Sequence, residues 1–197
     1  MPSCVETFSD LSIAPEDLQL AVAARHAEFI CEAERCSVFS PGPVELTETV
    51  AFFLINPLHY DDERQTVVPD AFQELFNRDL SVIRREHAGQ DEVSRSRDEL
   101  VARGAEKIPP KLRLIEEVCL AKVADIRAPM QGAGRVLAAY DTALESVPSH
   151  ASIFTVPAAL ASRQLRKQVR AHVHFVMTQE RVKFADFLAA LPTGSPA

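Results

Sequence analysis

The most continuous apolar run in the chain is "VAFFLIN" at 50–56, preceded by the alternating "VELTET" at 44–49 and stopped by Pro57. Alternation that passes into an unbroken apolar stretch predicts a strand over about 49–55 that is buried on both faces. Upstream, Leu18, Val22, Phe29 and Ala33 recur at near-helical spacing, and Pro15, Glu16 and Asp17 suit a first turn. A helix from Pro15 to about Cys36 follows, ended by "SPGP" at 40–43. Downstream, "PDAFQELF" at 69–76 predicts a short helix, and "DLSVIR" at 79–84 a short strand. "DEVSRSRDELVARGAEK" at 91–107 has few apolar anchors and reads as a solvated surface helix.

Residues 112–127, "LRLIEEVCLAKVADIR", fit both periods. A strand at about 117–123 is preferred, because "GRVLAAY" at 134–140 needs a partner. "ASIFTV" at 151–156 is a further strand. From Pro157 to about Met177, Ala161, Leu165, Val169, Val173 and Val176 recur at helical steps, and a second helix is expected from Thr178 to Leu191. The sum is a single α+β domain over 1–197. It has a small mixed or antiparallel sheet, an N-terminal helix and two C-terminal helices, and residues 157–191 pack on the sheet or on a partner. The glycines of "QGAGR" at 131–135 predict a tight turn, since a phosphate loop would need further spacing and a lysine.

Composition adds limits. At 197 residues and 47% apolar, one well-buried core is affordable. No run of eighteen apolar residues and no signal-peptide pattern occurs, so a cytoplasmic protein without a membrane segment is expected. Cys4, Cys31, Cys36 and Cys119 agree with a reducing compartment, and Cys31 and Cys36, five apart, read as unpaired fillers or thiols. The net charge of -7 is uneven. Residues 1–62 carry eleven acids against Arg25 and Arg35, whereas 163–183 carry six basic residues against Glu180. The acidic half argues against nucleic acid as a partner. The basic stretch is expected to face this chain's own acidic N-terminal region first, and otherwise a partner or a small anion.

No strong catalytic motif is present, and neither a cofactor nor a metal site is expected. Polar residues do collect at predicted strand ends. His59 can pair with Asp61 or Asp62 for proton transfer, and His87 and His150 are the other candidate acids or bases. Arg84, Arg127 and Tyr140 are candidate substrate-binding groups, arginine through its two-pronged guanidinium. The same residues also suit a plain solvated rim. His59, Asp61, His87 and His150 match no compact metal signature, and His172 and His174, two apart on a helix, diverge.

Two function classes fit. The first is a non-catalytic interaction or accessory module, part of a complex or a homo-oligomer. It would bind through the C-terminal helices with Arg163, Arg166, Lys167, Arg170, Phe184 and Phe187. The alternative is a small enzyme on a phosphorylated or nucleotide-like anion, with Arg84 as clamp and His59 or His150 as acid or base. This second reading requires the candidate side chains to converge on one cavity.

Overall fold

A computed structural model describes residues 2–61, 63, 66–130, 132 and 134–194. The chain order begins with helices α1 (Cys4–Phe8) and α2 (Leu18–Arg25), strands β1 (Thr49–Asn56), β2 (Tyr60–Asp61) and β3 (Thr66–Val67), helix α3 (Glu74–Asn77) and strand β4 (Leu80–Arg84). It continues through α4 (Gln90–Ala105), β5 (Leu114–Lys122), α5 (Val123–Ile126), β6 (Leu137–Tyr140), β7 (His150–Thr155), α6 (Pro157–Ala161), α7 (Arg163–Thr178), β8 (Glu180–Lys183) and α8 (Phe184–Ala189). Six strands form one sheet in the order β6-β7-β4-β1-β5-β8, every pair antiparallel, while β2 and β3 form a separate hairpin. The expected α+β fold with helices at both ends is what the chain adopts.

The sheet is covered on both faces, which is why β1 reads as an unbroken apolar run. Val50, Phe52 and Leu54 face a cluster closed by Phe72, Leu75 and the α7 residues Val169, Val173, Val176 and Met177. Ala51, Phe53 and Ile55 face the opposite cluster, closed by Val93 of α4 and by Phe184, Phe187 and Leu191. A third cluster joins α1, α2 and residues 29–36 to Ala138, Tyr140 and Phe154.

Four expectations need correction. The helix expected to run to Cys36 ends at Arg25, where His26 turns extended and Phe29 takes a positive φ of 63°. The turn lets Cys31 and Cys36 reach the third cluster, a burial that helical periodicity does not register. The helix expected over 157–177 breaks at Ser162, whose hydroxyl accepts the Leu165 amide and caps α7. The second C-terminal helix begins only at Phe184. Residues 180–183 instead form the edge strand β8, paired with 117–120 of β5. β5 therefore lies between β1 and β8, and "LAAY" pairs with β7 rather than with β5.

The cysteine reading is also overturned, since Cys4 and Cys31 form a disulfide, leaving Cys36 and Cys119 as buried thiols. Structural disulfides persist mainly in oxidising compartments, so the cysteines no longer argue for the cytoplasm. No helix among the described residues is long and apolar enough to cross a membrane. Of the residues expected to make a turn in "QGAGR" or to pair with His59, Gln131, Ala133 and Asp62 lie outside the described residues.

Candidate ligand cleft where two strands part

β1 is paired with β5 along its whole length, but its ladder with β4 is two residues long, Val50 with Arg84 and Ala51 with Ile83. Strand alternation tells which main-chain groups face the gap beyond. The Arg84 amide donates to Ser149 O, on the β7 side, so Ile83 and Ser81 direct their main-chain groups toward β1. On β1, the Thr49 amide is taken by Glu86 and Ala51 pairs with Ile83, so Phe53 and Ile55 face β4. Phe53 and Ser81 are next in register and form no pair. Between them opens a cleft of about 430 Å³, lined by both strands, by Ser96 and Leu100 of α4, by Val147, and by His59 and His150.

His59 is placed by the turn after β1. Its ring nitrogen Nδ1 accepts the Ile55 amide at 3.1 Å, and its own amide donates to Ile55 O at 2.7 Å. The imidazole thus stands in for a neighbouring strand at Ile55 and stacks on Phe52 with centroids 5.4 Å apart. With Nδ1 accepting, the ring proton of the neutral form sits on Nε2, for which no protein acceptor is found among the described residues. Burial, reinforced by the nearby Arg113 charge, lowers the His59 pKa to about 4. The ring is neutral at pH 7 and offers the cleft a donor.

His150 has the opposite arrangement. Its Nδ1 lies 3.0 Å from both the carbonyl and the hydroxyl oxygen of Thr142. A carbonyl only accepts, so Nδ1 carries the proton and Nε2 is left as the acceptor. Burial lowers the His150 pKa, against the pull of the Thr142 carbonyl and of Asp79 and Glu92. The relay behind it has one direction: the Thr142 hydroxyl meets Ser152 Oγ at 2.8 Å, and Ser152 Oγ donates to Asp79 Oδ2 at 2.6 Å. Each hydroxyl passes its hydrogen on toward the carboxylate, so His150 Nδ1–H has a fixed acceptor. Ser96 adds to the cleft lining a buried hydroxyl without a hydrogen-bond partner among the described residues.

The candidate set therefore divides. His59 and His150 share the cleft, but Arg84 and His87 do not line it. Arg84 is 1% exposed and fully engaged: Nε and Nη2 donate to the Glu48 carboxylate at 2.7 Å, Nη1 to Gly42 O and Nη2 to Pro43 O. Asp141 lies 3.2 Å from its Nη1, and His87 Nε2 accepts from Nη2 at 3.2 Å. A guanidinium saturated by its own chain cannot clamp a substrate anion, and His87 is held in that same cluster. Arg127 is likewise used internally, on Glu32 and the Ala139 carbonyl. Tyr140 is buried against Phe8 and Phe154, on a separate crevice of about 220 Å³ beside α2. Asp61 ends β2 and its Oδ1 accepts the Glu63 amide, while the His59 ring is fixed by the Ile55 amide.

The proposed partner face also divides. Phe184 and Phe187 are 4% and 2% exposed, packed under α4 and against Phe53, so they build the core. Arg170 pairs with Asp70 and lies over the Phe76 ring. Arg163, Arg166 and Lys167 are exposed and have no ion pair among the described residues. Three of the N-terminal acids are paired elsewhere: Asp10 with Arg25, Glu32 with Arg127 and Arg135, and Glu48 with Arg84. Among the described residues no ion pair joins the basic stretch to the N-terminal acids, contrary to expectation: Arg170 pairs with Asp70, and Arg181 and Lys183 with Glu117.

Phe53, Ser81, Thr142, Ser152, Asp79 and Ser96 give no signal in the sequence, because their roles depend on strand alternation and on which strands part. No family model, curated protein or solved structure matches the chain.

Proposed function

We propose that the protein binds a small carbonyl- or amide-bearing molecule in the cleft between β1 and β4 and supports proton transfer on it. The observation that carries this reading is that two neutral histidines lining one cleft are fixed with opposite polarity, His59 accepting through Nδ1 and His150 held at Nδ1 by the Thr142 carbonyl. A ligand oxygen would accept from His59 Nε2–H, and His150 Nε2 would take a proton from the ligand or a bound water. The relay to Asp79 would stabilise the resulting imidazolium. The main-chain groups of Phe53 and Ser81 would orient an amide edge, over a floor of Phe52, Leu80 and Val82. The earlier anion-clamp version is not carried forward, because Arg84 is occupied.

A ligand-observed NMR screen of small amides and carbonyl compounds tests this, read against the imidazole nitrogen shifts of the protein. Binding that moves both His59 and His150 resonances and is abolished by Ser81→Trp, which fills the cleft from an exposed position, is the expected result. Ligands that bind without touching either ring, or that ignore Ser81→Trp, would defeat it.

A second reading is supported by α7. Arg163, Arg166 and Lys167 are exposed without ion pairs among the described residues, and Phe175, on the same helix, is 64% exposed. Together they suit an acidic protein partner, the accessory-module role without Phe184 or Phe187. Retention of the chain on an immobilised acidic polypeptide, lost in Phe175→Ser, separates this role from the cleft.

A further inference from the structure

Cys4, His26 and Cys31 bring two sulfurs and one ring nitrogen within 4.8 Å of one another. In the present state the sulfurs are joined as a disulfide. His26 is nonetheless oriented as a metal ligand would be. Its Nε2 is 2.8 Å from the hydroxyl of Thr7, which is wholly buried, and its Nδ1 lies 4.0 Å from Cys4 Sγ. With Nε2–H donating to the hydroxyl, Nδ1 keeps its lone pair and directs it at the sulfur. A second partner that fixes the tautomer from behind is how ligating histidines are held. The three groups come from different places, α1, the end of α2 and residues 30–32, so packing assembles them and no sequence spacing announces them.

We propose that the reduced chain binds one Zn²⁺ through the thiolates of Cys4 and Cys31 and Nδ1 of His26, and that disulfide formation is the alternative, metal-free state. Tetrahedral zinc with thiolate and imidazole ligands holds its donor atoms roughly 3.4–3.8 Å apart, a spacing the three reach once the sulfur–sulfur bond is broken. The balance is simple. A dithiol reductant gives two electrons and two protons to the disulfide and is itself oxidised to a disulfide. Zn²⁺ then displaces both thiol protons to solvent, leaving a neutral centre. His26 is only partly buried, so water completes the fourth position. Cys36 is not a ligand in this scheme: it is absent from the convergent set, and its thiol donates to Cys31 O at 3.2 Å. Either state ties α1 to the segment after α2. A reducing compartment selects the metal and an oxidising one the disulfide.

The test uses the full chain, reduced with a phosphine under argon, freed of metal, and titrated with Co²⁺ as a spectroscopic stand-in for zinc. Expected are one equivalent bound, thiolate-to-cobalt absorption, and displacement by Zn²⁺. The oxidised chain should bind none. His26→Gln should shift the visible bands and weaken binding by about tenfold or more, while Cys36→Ser should leave both unchanged. Cobalt bound by the oxidised chain, no uptake by the reduced chain, or spectra altered by Cys36→Ser but not by His26→Gln would each overturn the assignment.

Discussion

Arg84 shows what burial does to a charged side chain. At 1% exposure its guanidinium meets Glu48 on two nitrogens and lies beside Asp141, and three separate segments depend on that contact. Arg84→Met would leave two carboxylates buried without their cation. Loss of roughly 3–5 kcal/mol of unfolding free energy is expected in denaturant titrations, as for one partner removed from a buried pair. Two further groups set the acid response in opposite directions. His59 has its pKa lowered to about 4 from 6.5 by burial, so its contribution to stability is present above pH 6.5 and is lost as pH falls through about 4. At about 1.4 kcal/mol per unit, that loss is on the order of 3 kcal/mol. Asp141 has its pKa raised to about 6 from 3.8, again chiefly by burial, so its contribution is present below 3.8 and is lost as pH rises through about 6. Unfolding free energies measured from pH 7 to 4 should fall less steeply in His59→Gln than in the wild type. They should fall more steeply in Asp141→Asn.

At the scale of elements, the short ladder between β1 and β4 is the feature with most consequence. Phe53 and Ser81 should exchange their amide hydrogens faster than Ala51 and Ile83, which pair across the same two strands. Hydrogen exchange by NMR would check this, and a cleft ligand should slow those two amides selectively. The C-terminal elements give the contrasting case. Phe184→Ala or Phe187→Ala removes a fully packed ring from the cluster under α4 and should cost roughly 3–5 kcal/mol in thermal or denaturant unfolding. A surface role would leave stability untouched. The sequence pattern located β1, β4, β7 and α7 because each buries a regular face, and α4 from a charge-rich run with a few apolar anchors. It failed at Glu180–Lys183, where an edge strand buries little and carries charges, and at residues 26–36, where burial follows a turn. Of the site, His59 and His150 were visible as polar residues at strand ends. Their ring polarity depends on Ile55 and Thr142, partners four and eight residues away that no periodicity connects.

Over the whole molecule, charge is matched locally before it is matched globally. Glu48, Asp10 and Glu32 find arginines on β4, α2, and the segments around α5 and β6, and the first two are short contacts: Glu48 to Arg84 at 2.7 Å and Asp10 to Arg25 at 2.9 Å. That leaves Arg163, Arg166 and Lys167 at the start of α7 as a cationic surface with no counter-charge among the described residues. Three positive charges at a helix N-terminus also oppose the helix dipole, so the arrangement gains nothing for folding. Replacing all three with glutamine should leave stability unchanged or slightly raised, each site within about 0.5 kcal/mol. If the surface serves recognition, the same variant loses binding to an acidic polypeptide, and wild-type binding weakens steeply with added salt. A triple variant that binds as the wild type does would remove α7 from consideration and leave the cleft as the place where this protein meets its ligand.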